Sequence, residues 1–278
     1  CSGQPWSMTR LRIGYGAMAV GFVKWAFSTS QAERLFMSAL VAAIFFEKRT
    51  NKDSVRPHNI PMTMIGAGLL LFGWFGFNAG SALSMNGIAM NAFITTTVSG
   101  AAAGFTWLMC EWVLHKRPTA LGLVSGIIAG LGSITQSAGY VSPFSALLIG
   151  FVGGILCFFA VTELKKRIGY DDALDAFGCH GVGGIWGGIS AGIFATSTIN
   201  PDITGGLVDG NAGLLIAEIV SILAVTAYSA VVSFVIHSLH GETAYGSVSA
   251  AGLAVGAHEP VAIPASPSIS PKSSLVQK

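Results

Sequence analysis

Residues 171–196, DDALDAFGCHGVGGIWGGISAGIFAT, decide the fold. The stretch turns apolar at Phe177 and continues for about the length that crosses a bilayer as a helix. One histidine, His180, sits inside it. Steps of four from His180 reach Gly184, Gly188 and Gly192, which share one face of a helix. Glycine disfavours a helix unless another backbone must come close, so the spacing predicts a groove against a neighbouring helix, with the histidine on it. An ionisable residue on such a face within a membrane is a functional site by default. The plainer alternative is a histidine hydrogen-bonded to the adjacent helix.

The rest of the chain agrees with a membrane setting. Of 278 residues, 52% are hydrophobic and 10% charged, with 36 glycines and a mean hydropathy of +0.65, a composition that excludes an ordinary soluble core. The net charge of +2 carries no nucleic-acid signal, because the basic residues fall in short clusters between apolar runs. Cys110, Cys157 and Cys179 lie in apolar stretches without metal-ligand spacing and read as small buried residues, so neither a metal nor a cofactor is expected.

Six spans are expected, at about 62–83, 88–114, 120–138, 144–164, 171–196 and 212–239. Alternate connectors are basic. Lys48, Arg49, Lys52 and Arg56 precede the first span, Lys116 and Arg117 follow the second, and Lys165, Lys166 and Arg167 follow the fourth. The positive-inside rule places these in the cytoplasm and the loop carrying Asp202 and Asp209 outside. The tail from 246 to 278, rich in Pro, Ser and Ala, is expected to be disordered and cytoplasmic.

The first span carries FGWFGFNAGSAL at 72–83, with Trp74, Phe77 and Ser81 on one helical stripe near its outer end. A cation arriving from water could exchange water ligands for an aromatic face and a hydroxyl oxygen. The competing reading is an aromatic packing face with a serine bonded back to its own helix. Asn78 suits an interhelical hydrogen bond. Asp175 precedes the fifth span, where a carboxylate caps free N–H groups, a structural role. Asp171 and Asp172 read as solvated charges beside Lys165, Lys166 and Arg167. Glu111 and Glu163 can reach water, whereas Glu218 lies deeper and needs a partner.

GYDDALDAFGCHGVGGIWG and FGWFGFNAGSAL together closely resemble signatures of the ammonium transporter (Amt/Mep/Rhesus) family, over about 38–196. The resemblance implies an all-α, polytopic helical membrane protein with an ammonium transporter-like fold lacking its first spans. It implies that Phe77 gates the outer mouth, that Ser81 with Trp74 recruits ammonium, and that His180 is the second of two pore histidines. It further implies a homotrimer in the plasma membrane, with no enzymatic activity. Ser125 resembles a helix serine near the pore. Gln136 departs from the pattern, since many members have proline there. HGETAY at 240–245 resembles a cytoplasmic signature, which suggests a cytoplasmic regulator and, as an alternative function, ammonium sensing. A further alternative, a hydrolase using Ser81 and His180, fails on topology, because the two residues fall toward opposite membrane faces.

Residues 1–36 resemble nothing in the family. Back-translating STSQAERLF, residues 28–36, and shifting by one base permits DFAGGTVVH, the family's fifth-helix signature with the first pore histidine. We expect 1–36 to be an out-of-frame or mis-spliced translation, 37–245 a partial membrane domain, and the chain as written not to conduct. The competing reading is a divergent N-terminal extension. The form that reads DFAGGTVVH before residue 37 is termed the in-frame protein below.

Overall fold

The structure is a computed structural model describing residues 40, 41, 43, 44, 59–170, 172 and 174–253, with backbone alone at 237 and 239–253. Residues 1–36, the basic loop at 47–58, Asp171, the side chains of HGETAY and residues 254–278 lie outside the described part. Among the described residues there is no strand.

The helices that open at residues 60, 87, 120 and 143 each begin where a polar side chain accepts from a free N–H group. The Asn59 side chain accepts from the Met62 amide at 3.0 Å and opens α1, Ile60–Asn78, with Pro61 at its start. A tight turn at Gly80–Ala82 follows. Asn86 accepts from the Ala89 amide at 2.9 Å and opens α2, Gly87–His115, which stops at Lys116 in the left-handed region. Thr119 caps α3, Ala120–Ile134, by accepting from the Gly122 amide at 2.9 Å. Ser142 caps α4, Pro143–Phe159, which continues through a π turn at Ala160–Leu164 to Lys165–Ile168. A second π turn, Phe177–Gly181, leads into α5, Val182–Phe194. The last helix, α6, is Ala212–Leu253. Residues 246–253, expected in a disordered tail, are therefore helical.

Among the described residues, four segments are long and apolar enough to cross a bilayer: Ile60–Ala82, Gly87–His115, Pro143–Ile168 and Ala212–Ile236. They match four of the six expected spans. Of the other two, the 120–138 span needs correction: α3 has 15 residues, about 22 Å of helix, short of the roughly 30 Å of a bilayer core. α5 continues directly from its π turn, so helix runs unbroken over 176–194, inside the expected 171–196 span. The apolar run at 120–138 suggests a longer α3. After Ile134 the chain instead folds into turns, with the Ser137 amide donating to Ile134 and the Tyr140 amide to Ser137, both at 2.9 Å.

α3 and α5 are interior elements. α3 packs on α2 and α4, and α5 on α3 and α4. Lipid removes the usual hydrophobic drive between helices, so close backbone approach and interhelical hydrogen bonds hold them together. A Cβ on Gly126 would stand 2.6 Å from the Trp107 Cβ, and one on Gly154 would stand 2.9 Å from the Ala103 carbonyl. Ser99 donates to the Gly130 carbonyl at 2.9 Å. Glu111 closes the α2–α3 connector, accepting from the Thr119 amide at 2.6 Å and its hydroxyl at 3.1 Å. The apolar side chains Ile65, Leu69, Phe72, Leu223 and Val231 stay exposed, as lipid-facing surfaces require.

Candidate functional site

The two signature stretches, far apart in sequence, meet in space. The Trp74 indole of α1 stacks on the His180 imidazole, with centroids 6.0 Å apart and planes 9° from parallel. Phe77 stands edge-on to Trp74 at 6.3 Å. The indole N–H donates to the Thr135 hydroxyl at 2.8 Å, and that hydroxyl donates to the Leu131 carbonyl at 2.6 Å. The end of α3 thus sets the plane of the tryptophan, and the tryptophan covers one face of the histidine. Gly132 lies close by, where a Cβ would stand 3.8 Å from His180 Nδ1.

The helical stripe groups Trp74 with Ser81 at the outer mouth; the structure places Trp74 beside His180 instead. Seven residues separate it from Ser81, about 10 Å along a helix. Phe77 lies between them and is 53% exposed. The Ser81 hydroxyl donates to the Phe77 carbonyl, as in the back-bonded reading. That bond uses the proton and leaves the oxygen lone pairs available to a donor. Asn78 is buried and donates to the Thr96 hydroxyl at 2.9 Å, joining α1 to α2.

The glycines of α5 serve two neighbours. Gly188 and Gly192 face α6, where added Cβ atoms would stand 2.9 Å from Ile222 Cδ1 and 2.6 Å from Leu215 Cα. Gly183 and Gly187 face α3, where they would meet Ser133 Oγ at 3.4 Å and the Ser133 carbonyl at 2.7 Å. Gly184 is buried as well. Counting by fours from His180 assumes an unbroken α-helix. The π turn rotates His180 relative to that count, whereas Gly183 and Gly187 form a second line of glycines within the regular helix α5.

The charges before α5 exchange their expected parts. Asp172, expected as a solvated charge, accepts from the Phe177 amide at 2.9 Å and the Leu174 amide at 3.2 Å, so it caps the turn. Asp175, expected as the cap, pairs with Lys165 Nζ at 2.5 Å and adopts a left-handed backbone, φ 52°. Tyr170 buries its ring edge-on to Phe177 at 5.9 Å.

On the opposite side, the 197–211 loop is tied by Asp209. It accepts from the Ser197 amide at 2.9 Å and from the hydroxyls of Ser197 and Thr196 at 3.1 and 3.0 Å. The bond from the Ser197 backbone, followed by the two hydroxyls, holds this carboxyl below its usual range. Glu218 is buried on α6. Burial first, then the charges of Glu218 and Asp202, raise the Tyr140 phenol above its ordinary value, so Glu218 lies within electrostatic reach of Tyr140.

The family model of the Ammonium Transporter Family matches residues 37–258. An ammonium transporter of Bacillus subtilis is 50% identical over 200 residues, covering 72% of this chain and 50% of that protein. Ammonium transporter Amt1 of Archaeoglobus fulgidus is 45% identical over 204 residues, covering 72% and 50%. The chain spans about half the length of these curated relatives. Among solved structures, Mep2 of Saccharomyces cerevisiae is similar, with a TM-score of 0.70 at 31% identity, over 75% of this chain and 51% of that one. A structure described as a sensor Amt protein matches with a TM-score of 0.65 at 30% identity, over 78% and 55%. The Trp74–His180 stack thus lies in an all-α membrane protein matched over most of its length, and the chain belongs to the ammonium transporter family.

Proposed function

We propose that these residues form one half of a pore for ammonium or ammonia, with His180 on its wall. The observation that carries the proposal is the stack of His180 on Trp74, held by Thr135 at the end of an interior helix. A narrow apolar path imposes a heavy desolvation cost on an ion, whereas neutral ammonia loses far less. An imidazole exchanges hydrogen bonds with such a molecule as donor or acceptor, and stacking keeps its ring in one plane. At the outer end, the lone pairs of Ser81 and the exposed face of Phe77 offer an ammonium ion partial replacements for water. The ion gives its proton to water at the outer mouth and continues as ammonia.

The proposal includes a homotrimer in the plasma membrane, with the basic connectors and the C-terminus in the cytoplasm. The named activity of the relatives is transport, so no enzymatic step is included. The test is ammonium uptake by vesicles bearing the in-frame protein. Saturable uptake that responds to His180→Ala is expected, and flux indifferent to that change removes His180 from the pathway.

A second reading is ammonium sensing through a cytoplasmic regulator. It draws on HGETAY at 240–245 and on the similarity to a sensor Amt protein. Deleting residues from 240 onward separates the two, because transport then persists while signalling is lost.

A further inference from the structure

We propose that the Lys165–Asp175 ion pair is a positioning device that sets the His180 ring against Trp74. The inference rests on the pore reading for its functional meaning and on geometry for its substance.

Two π turns lie next to each other. One, Ala160–Leu164, interrupts α4; the other, Phe177–Gly181, contains His180. They touch closely, since a Cβ on Gly178 would stand 2.6 Å from Val161 Cγ2. A π turn breaks the regular ladder and persists only where its surroundings hold it. Lys165 emerges directly after the first π turn. Its ammonium donates to the Asp172 carbonyl at 2.5 Å and to Asp175 Oδ1 at 2.5 Å. Both acceptors belong to the segment that begins the second π turn. Asp172 then receives the Phe177 amide at 2.9 Å, and the Asp175 carbonyl receives the Cys179 amide at 2.9 Å. Cys179 is the residue before His180. The lysine therefore reaches the histidine through one ion pair and one backbone hydrogen bond.

The backbone at Asp175 explains why a clamp is needed. A non-glycine residue with φ 52° lies in a sparsely populated region and stays there only when its surroundings over-determine it. The charge-assisted bond from Lys165 and the bond from Cys179 supply that constraint. Among the described residues, the side-chain bonds of Lys165 and Asp175 go to each other and to the Asp172 carbonyl, so both act on His180 through the turn.

The test reads the ring and needs no transport. The 278-residue chain is labelled at its six histidines with carbon-13 and placed in lipid nanodiscs. The His180 ring signal is identified by its loss in His180→Ala. Protons held above a stacked indole are shifted upfield, and Trp74→Leu should remove that shift. Lys165→Met and Asp175→Asn should each move the His180 signal most of the way to its Trp74→Leu position. Lys165→Arg, or the exchanged pair Lys165→Asp with Asp175→Lys, should restore it. Equal insertion with an unmoved His180 signal in both single variants overturns the proposal. So does a shift that neither Lys165→Arg nor the exchanged pair repairs, because a general loosening behaves that way. If the single variants do not insert, Lys165→Arg and the exchanged pair decide alone: native shifts in both support the device, and a lost shift in either overturns it. In the in-frame protein, Lys165→Met should lower ammonium uptake by roughly tenfold at matched abundance. A moved signal with unchanged uptake would refute the pore reading while leaving the positioning role intact.

Discussion

At the scale of single residues, hydrogen-bond direction separates the roles of three polar side chains. Ser81 gives its proton to the Phe77 carbonyl, so it can only accept from an incoming ammonium ion. Ser81→Ala in the in-frame protein should weaken ammonium capture modestly, within the roughly 1.5–3 kcal/mol of a hydrogen bond to a charged group. Unchanged concentration dependence of uptake would leave Ser81 a purely local bond. Asn78 donates to Thr96 and so ties α1 to α2. Asp209 holds its loop through three hydrogen bonds that favour the charged carboxylate. Its folded pKa lies below the unfolded one, so its contribution is present above the unfolded value of about 4 and fades as pH falls through the folded value. The protection of the Ser197 amide, the unprotected exchange rate relative to its own rate at the same pH, should therefore fall on strong acidification. Asp209→Asn should remove that pH dependence, and an unchanged acid response in the variant would contradict the assignment.

At the scale of elements, the packing runs through glycine. Gly126 sits where α3 meets α2, and a Cβ added there would have Trp107 Cβ, the Ala103 carbonyl and Gly104 Cα all within 3 Å. Gly126→Leu should destabilise the 278-residue chain by about 1–3 kcal/mol or more, because backbone must move. Gly68→Leu on α1, where a Cβ would have nothing within 4 Å, should be neutral or favourable. Thermal unfolding in detergent compares the two, and equal losses would contradict this account of the packing. The long helices are legible in sequence, because the apolar runs that follow Asn59, Asn86 and Ser142 obey local rules. The π turns are not, since an inserted residue changes register without changing composition. The exchange of parts between Asp172 and Asp175 is hidden too. It depends on Lys165, seven and ten residues away, and on a backbone twist at Asp175. Hydropathy overstates the length of α3 because it continues past Ile134, whereas the backbone turns at Ser137.

At the scale of the molecule, α1 and α6 carry apolar side chains outward while α3 and α5 lie inside, which suits a bilayer. The orientation proposed above rests on the alternation of basic connectors. Lys116 and Lys166 should react with an impermeant reagent only from the cytoplasmic side, and a cysteine replacing Asp202 only from outside. Opposite labelling at either connector would reverse the topology. The central claim is that His180, fixed against Trp74, forms part of the ammonium path. It is tested most directly by ammonium uptake in vesicles bearing the in-frame protein or its His180→Ala variant, with insertion matched. The account predicts impaired uptake or altered selectivity in a variant that still reaches the membrane. Unaltered flux and unaltered selectivity would contradict it.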